Sequence, residues 1–244
     1  MRYLIPLFLI LLSCEKDVAF DLKELNEPSL DSIVARASYV EHTDVRLFGR
    51  SSGLRDMPVR LFFYAPDSAK DFQVFRNSEE QEETFRLVNF DIETTNNFWV
   101  EFLHPLYEGE PHLIASYTIG DTLYLTQTHI LKHWKQRSTS LNIRDIDSRN
   151  ASNPYFEWFA NERQSDSYLF AIADEQDQIL SSVLTQNTSF RFYDVFGFYE
   201  AVGPEFTQPK LLENENYYLY VMGVDTQSAW VNSYARQKFL NSPE

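Results

Sequence analysis

Tyr217-Tyr218-Leu219-Tyr220-Val221-Met222-Gly223-Val224 is the stretch on which the fold of this 244-residue chain turns. It holds no charge and no proline, and its aromatic and β-branched residues suit a pleated, half-buried surface. Successive side chains of a strand point to opposite faces. Tyr217, Leu219 and Val221 therefore face one way, and Tyr218, Tyr220 and Met222 the other. The inward row predicts a core strand, and Tyr218 and Tyr220 an exposed aromatic strip on its back. Cross-strand packing, or burial against the first half of the chain, are the alternatives for that strip.

The same short alternation recurs on both sides of the stretch. Before residue 138 it appears as Val45-Arg46-Leu47-Phe48, Val59 to Ala65, Phe98 to Leu103, Leu113 to Ile119 and Thr122 to Thr128. Pro58, Pro66, Pro105 and Pro111 stand at the edges of these runs, where a missing N–H is tolerated. After it come Pro154 to Trp158, Tyr168 to Ile172, Ile179 to Thr185 and Ser189 to Tyr193. Many short strands at this spacing predict an all-β chain of two tandem antiparallel sandwiches. Polar residues 138 to 148 place the boundary between bodies at 31–137 and 138–244. The acidic stretch Ser78 to Glu83 reads as a solvated loop or short turn, and Ile130 to Arg137 as a weak helical signal or, equally, the last strand running into a linker.

Trp158, Tyr168 and the pair Leu211 and Tyr217, six residues apart, give the second half a more specific signature. It resembles a fibronectin type III domain. The resemblance implies that Trp158 fills the core from the second strand, that Tyr168 opens the third, and that Leu211 and Tyr217 form the tyrosine corner before the next-to-last strand. Two features depart from the family. Glu213-Asn214 stands where Pro-Gly is usual, and Val195 to Lys210 is a longer connection than usual. Phe196, Phe198 and Tyr199 in that connection are a second candidate binding surface beside Tyr218 and Tyr220, or a plug for one end of the sandwich. The first half is immunoglobulin-like by strand count.

At the N-terminus, Met1-Arg2-Tyr3 precedes an apolar stretch, Leu4 to Leu12, that is too short to span a bilayer. It ends in Leu11-Leu12-Ser13-Cys14, which resembles the lipobox of bacterial lipoproteins. The resemblance implies a signal peptide over 1–13, lipid on Cys14 and a polar tether through residue 30. Cys14 is the chain's one cysteine, so no disulfide can form within it. Acyl chains on that residue would hold the body at a membrane, about 0.8 kcal/mol per buried CH₂. An outer-membrane lipoprotein of the cell envelope is the expectation, on its periplasmic or its surface face.

Removing residues 1–13 takes away Arg2 and leaves 20 basic against 36 acidic residues, a net −16. That balance disfavours nucleic acid and anionic lipid.

Catalytic signatures are sparse, and no cofactor is expected. His129 and His133 lie four apart, but Ile130 stands where a metallopeptidase carries its Glu. Asp145-Ile146-Asp147 begins like a calcium loop, yet Arg149 takes the third ligand position and no Gly follows. No metal site is therefore expected. Asp31-Ser32-Ile33, Asp67-Ser68-Ala69 and Asp121-Thr122-Leu123 resemble an O-glycosylation triplet of one Gram-negative phylum. These readings converge on a non-catalytic envelope lipoprotein that recognises a protein. A carbohydrate-binding accessory of a polysaccharide-uptake system and an envelope enzyme built from unmotifed residues are the alternatives.

Overall fold

The computed structural model describes residues 28–51, 59–64, 66, 68–78, 81–87, 92–95, 99–104, 112–130, 137–160, 165–192, 198–201, 210–227 and 229–242. Cys14, Phe196 and His133 lie outside them. Among these residues the chain is all-β apart from one short helix, α1 (Leu30–Val34).

The first half contributes β1 (Tyr39–Thr43), β2 (Leu47–Arg50), β3 (Val59–Tyr64), β4 (Lys70–Ser78), β5 (Gln81–Leu87), β6 (Ile92–Thr95), β7 (Trp99–His104), β8 (His112–Ile119), β9 (Thr122–Thr126) and β10 (His129–Ile130). The second half contributes β11 (Thr139–Ser140), β12 (Ile143–Asp147), β13 (Tyr155–Trp158), β14 (Ser167–Ala173), β15 (Ile179–Thr185), β16 (Ser189–Arg191), β17 (Phe198–Ala201), β18 (Glu215–Asp225) and β19 (Trp230–Asn241).

Three sheets result among the described residues. One runs β1-β9-β8-β4-β5 with β10 beside β8, one runs β12-β13-β16, and the largest runs β17-β15-β14-β18-β19-β2-β3-β7-β6 with β11 beside β19. In the second half the β12-β13-β16 sheet faces β15-β14-β18-β19 across a common core. There Phe156, Trp158, Tyr168, Phe170, Leu211, Tyr217, Leu219 and Phe239 meet, each at most 7% exposed. The four residues behind the fibronectin type III resemblance, Trp158, Tyr168, Leu211 and Tyr217, thus share one core. Trp158 packs edge-on to Tyr168 with ring centroids 5.6 Å apart.

In the first half Leu47, Val59, Leu61 and Phe63 of the large sheet meet Val74, Leu113, Ala115 and Tyr117 of the other. Trp230, which opens the last strand of the chain, joins that first-half core and is fully buried there. Its backbone pairs with Gly49 of β2 in parallel, and the Gly49 N–H donates to the Ala229 carbonyl at 2.8 Å. One sheet therefore carries strands from both halves.

Several local expectations are corrected. The polar run 138–148 holds β11 and β12, because Leu141 turns into the core and its N–H donates to the Tyr234 carbonyl at 2.9 Å. In the acidic stretch, Ser78 closes β4 and Gln81–Glu83 open β5, with Ser78 paired to Gln81, while 79–80 lie outside the described residues. His129–Ile130 is a strand on β8, as the strand alternative has it for Ile130, while 131–136 lie outside the described residues. Part of the long connection after Val195 is an edge strand, β17, that carries Phe198 and Tyr199. The end of the expected tether is structured as well. Ser29 caps α1 by accepting the Ser32 N–H, and Leu30 sits on Phe75, Leu123 and Leu125.

Candidate functional site

The face of β18 turned away from the second-half core is built by alternation and by its neighbours. β19 pairs with it so that Tyr220 opposes Arg236 and Tyr218 opposes Lys238. β14 flanks the other side, with Ala171 opposite Tyr220 and Ala173 opposite Tyr218. The small alanines leave room for both tyrosine rings to lie over the sheet.

This face is not the open aromatic strip that alternation alone suggests. Met222 is 2% exposed, packed with Phe48, Phe62, Leu169 and Leu184 where the large sheet joins the two halves. Tyr220 is 7% exposed, against Ala171, Ala173 and Ile179. Tyr218 is half-buried. The cover over both rings is Arg236, whose guanidinium carbon lies 3.8 Å from the centre of the Tyr218 ring and 5.6 Å from that of Tyr220. A guanidinium is planar and weakly hydrated, so it stacks on an aromatic face where an ammonium would stay in water.

Hydrogen bonds close a ring around that cation. Arg236 Nε donates to the Tyr220 hydroxyl at 2.7 Å, and Arg236 Nη2 donates to Asp177 Oδ2 at 3.2 Å. The Tyr220 hydroxyl in turn donates to Asp177 Oδ1. Burial, and then the bond to the Asp177 carboxylate, push the Tyr220 hydroxyl well above its ordinary pKa, so it stays protonated. Beside this ring, Lys238 Nζ donates to Glu175 Oε1 at 2.9 Å. That bond lowers the Glu175 carboxyl and raises the Lys238 ammonium.

The two carboxylates come from the β14–β15 turn. Asp174 holds the turn by accepting the backbone N–H groups of Gln176 at 2.9 Å and Gln178 at 2.8 Å through Oδ1. Asp177 takes a left-handed backbone, φ 65°, which Asp and Asn tolerate better than most side chains. Farther along the face, Arg50 stacks on Tyr234 at 3.9 Å, and Tyr234 lies 6.4 Å from Tyr220. A row of rings and cations, Tyr218, Arg236, Tyr220, Tyr234 and Arg50, thus extends across β18, β19 and β2.

Arg236, Lys238, Glu175 and Asp177 do not stand out in the sequence. The signal for them is the i, i+2 spacing of Arg236-Gln237-Lys238 in a terminal strand, matched by Glu175-Gln176-Asp177 in a polar turn. Only the register of β18 with β19 and the reach of the turn bring the four together.

The other candidates fall elsewhere. His129 is held as a structural group, since its Nε2 accepts the Leu47 N–H at 3.3 Å, and burial lowers its pKa to about 4. Asp147 is engaged by Arg149 through Nε at 2.9 Å and Nη2 at 2.6 Å, hydrogen bonds that lower its carboxyl to about 2. Arg149 thus takes the carboxylate that a calcium loop would need. An open cleft of about 620 Å³ lies here between Asp145–Arg149 and Leu240–Ser242. Among the described residues, no group of three or more His, Cys, Asp or Glu side chains is placed to hold a metal. The chain matches no protein-family model, and no curated protein matches it.

Proposed function

We propose that this chain is an outer-membrane lipoprotein, held by lipid on Cys14, whose β body is a non-catalytic binding or scaffold module that recognises a protein partner in the cell envelope. The single observation that carries the binding role is the stacking of Arg236 on Tyr218, 3.8 Å from the ring, within a closed hydrogen-bonded ring. An arginine held in place before contact loses little conformational freedom on binding, and arginine is among the side chains that dominate protein interfaces. The same observation favours a protein over a glycan. A sugar ring would need the face of Tyr218 that the guanidinium occupies.

Two experiments test the reading. A photo-cross-linking amino acid at position 218 in living cells is expected to capture a discrete protein, whereas one at Arg144, on the outer face of the opposite sheet, captures none. Equal capture at both positions would remove the assignment of this face. For the anchor, Cys14→Ala is expected to move the folded body from the membrane to the soluble fraction. Firm membrane association of that variant would refute the lipidation.

A further inference from the structure

We propose that this face takes an extended acidic segment of the partner protein, with carboxylates two residues apart, and that the β14–β15 turn is a built-in stand-in for it. The inference rests on the reading of this face as a protein-binding surface and names the chemistry of what it binds.

The turn shows what the face accepts. Its two carboxylates, Glu175 and Asp177, are spaced i, i+2 and engage Lys238 and Arg236, also spaced i, i+2, at 2.9 and 3.2 Å. Alternate side chains of any extended chain stand about 7 Å apart on one side. A second strand with acidic residues at i and i+2 would therefore meet both cations in register.

Exchange is feasible because the pairs are wet and Arg236 is held independently of its own. Glu175, Asp177, Arg236 and Lys238 are all 40 to 49% exposed. Ion pairs that keep this much water contribute little and are readily replaced. Arg236 would keep its place without Asp177, since Tyr218 lies beneath it and the Tyr220 hydroxyl accepts its Nε–H. Asp174 anchors the turn backbone, so the two acidic side chains can rotate away without unfolding it, and an incoming carboxylate would accept the Tyr220 O–H that Asp177 gives up. The body's acidic balance repels an acidic ligand at long range, but at physiological salt that field is screened beyond about 8 Å. The contacts themselves are shorter than that.

The test uses the full chain in detergent and a fluorescent peptide, Gly-Ser-Glu-Ser-Asp-Ser-Gly, with its Gln/Asn counterpart as control, read by anisotropy. Glu175→Gln with Asp177→Asn vacates the cations while keeping a residue suited to the left-handed backbone. It is expected to tighten binding about tenfold, and Arg236→Gln with Lys238→Gln to weaken it about tenfold or more. Lys238→Gln alone, at an exposed position, gives the same direction should the Arg236 variant fold poorly. Binding is also expected to weaken as salt rises.

The inference is overturned if the vacated variant binds no tighter than the parent, or if acidic and neutral peptides bind alike. It is equally overturned if polygalacturonate binds in preference to the peptide, which would assign the cations to an acidic glycan. Peptide indifference combined with intact cross-linking at position 218 removes the acidic-segment chemistry and leaves the protein-binding face. Loss of cross-linking removes the face itself.

Discussion

The Tyr217 hydroxyl accepts the backbone N–H of Leu212 at 2.7 Å, five residues back along the chain. Its ring packs on Phe239 with centroids 5.8 Å apart. The bond ties the approach to β18 onto the strand itself. Tyr217→Phe removes the acceptor and leaves the Leu212 N–H unpaired, at a cost of about 1 kcal/mol. Urea unfolding is expected to show a lower midpoint with an unchanged slope.

Trp230 couples the two halves. It is fully buried among Leu47, Leu61 and Phe63, although Ala235 and Phe239 farther along β19 lie in the second-half core. Trp230→Ala is expected to cost about 3–5 kcal/mol. The first half should lose stability before the second, so calorimetry would resolve two transitions where the parent gives one.

Gly223 is required for close packing. A Cβ there would lie 2.4 Å from Ser233 Oγ and 2.6 Å from Ser165 Oγ. Gly223→Ala is expected to destabilise by about 1–3 kcal/mol. Adding Ser233→Ala, which removes the nearer hydroxyl, should recover part of that loss in thermal unfolding.

His129 makes stability depend on pH in a defined direction. Buried and accepting the Leu47 N–H, it has its pKa lowered from 6.5 to about 4. Between those values the unfolded chain binds the extra proton, so stability rises with pH. The contribution is fully present above pH 6.5 and is lost as the pH falls toward 4, amounting to at most about 3 kcal/mol. His129→Gln keeps an acceptor but does not titrate. Its unfolding free energy should fall less than the parent's between about pH 7.5 and about pH 4.5.

Period-2 alternation by itself marked several strands of both cores, among them β3, β8, β14, β15 and β18, but not β4 or β19, which also line those cores. It also separated Tyr217, Leu219 and Val221, which are buried in the second-half core, from Tyr218 and Tyr220 on the opposite face. Strand and face are local properties, set by the pleat of a single chain segment. What covers a face is not local. Burial of Met222 depends on Phe48 and Phe62, far away in sequence, and burial of Tyr220 on Arg236 lying across it. The joining of the two halves in one sheet through Trp230 and Gly49 rests on backbone pairing between remote segments, which carries no side-chain pattern. Tertiary structure alone therefore decided that the expected aromatic strip is a sealed arrangement of tyrosines beneath Arg236, with Lys238 and the carboxylates of the β14–β15 turn beside it.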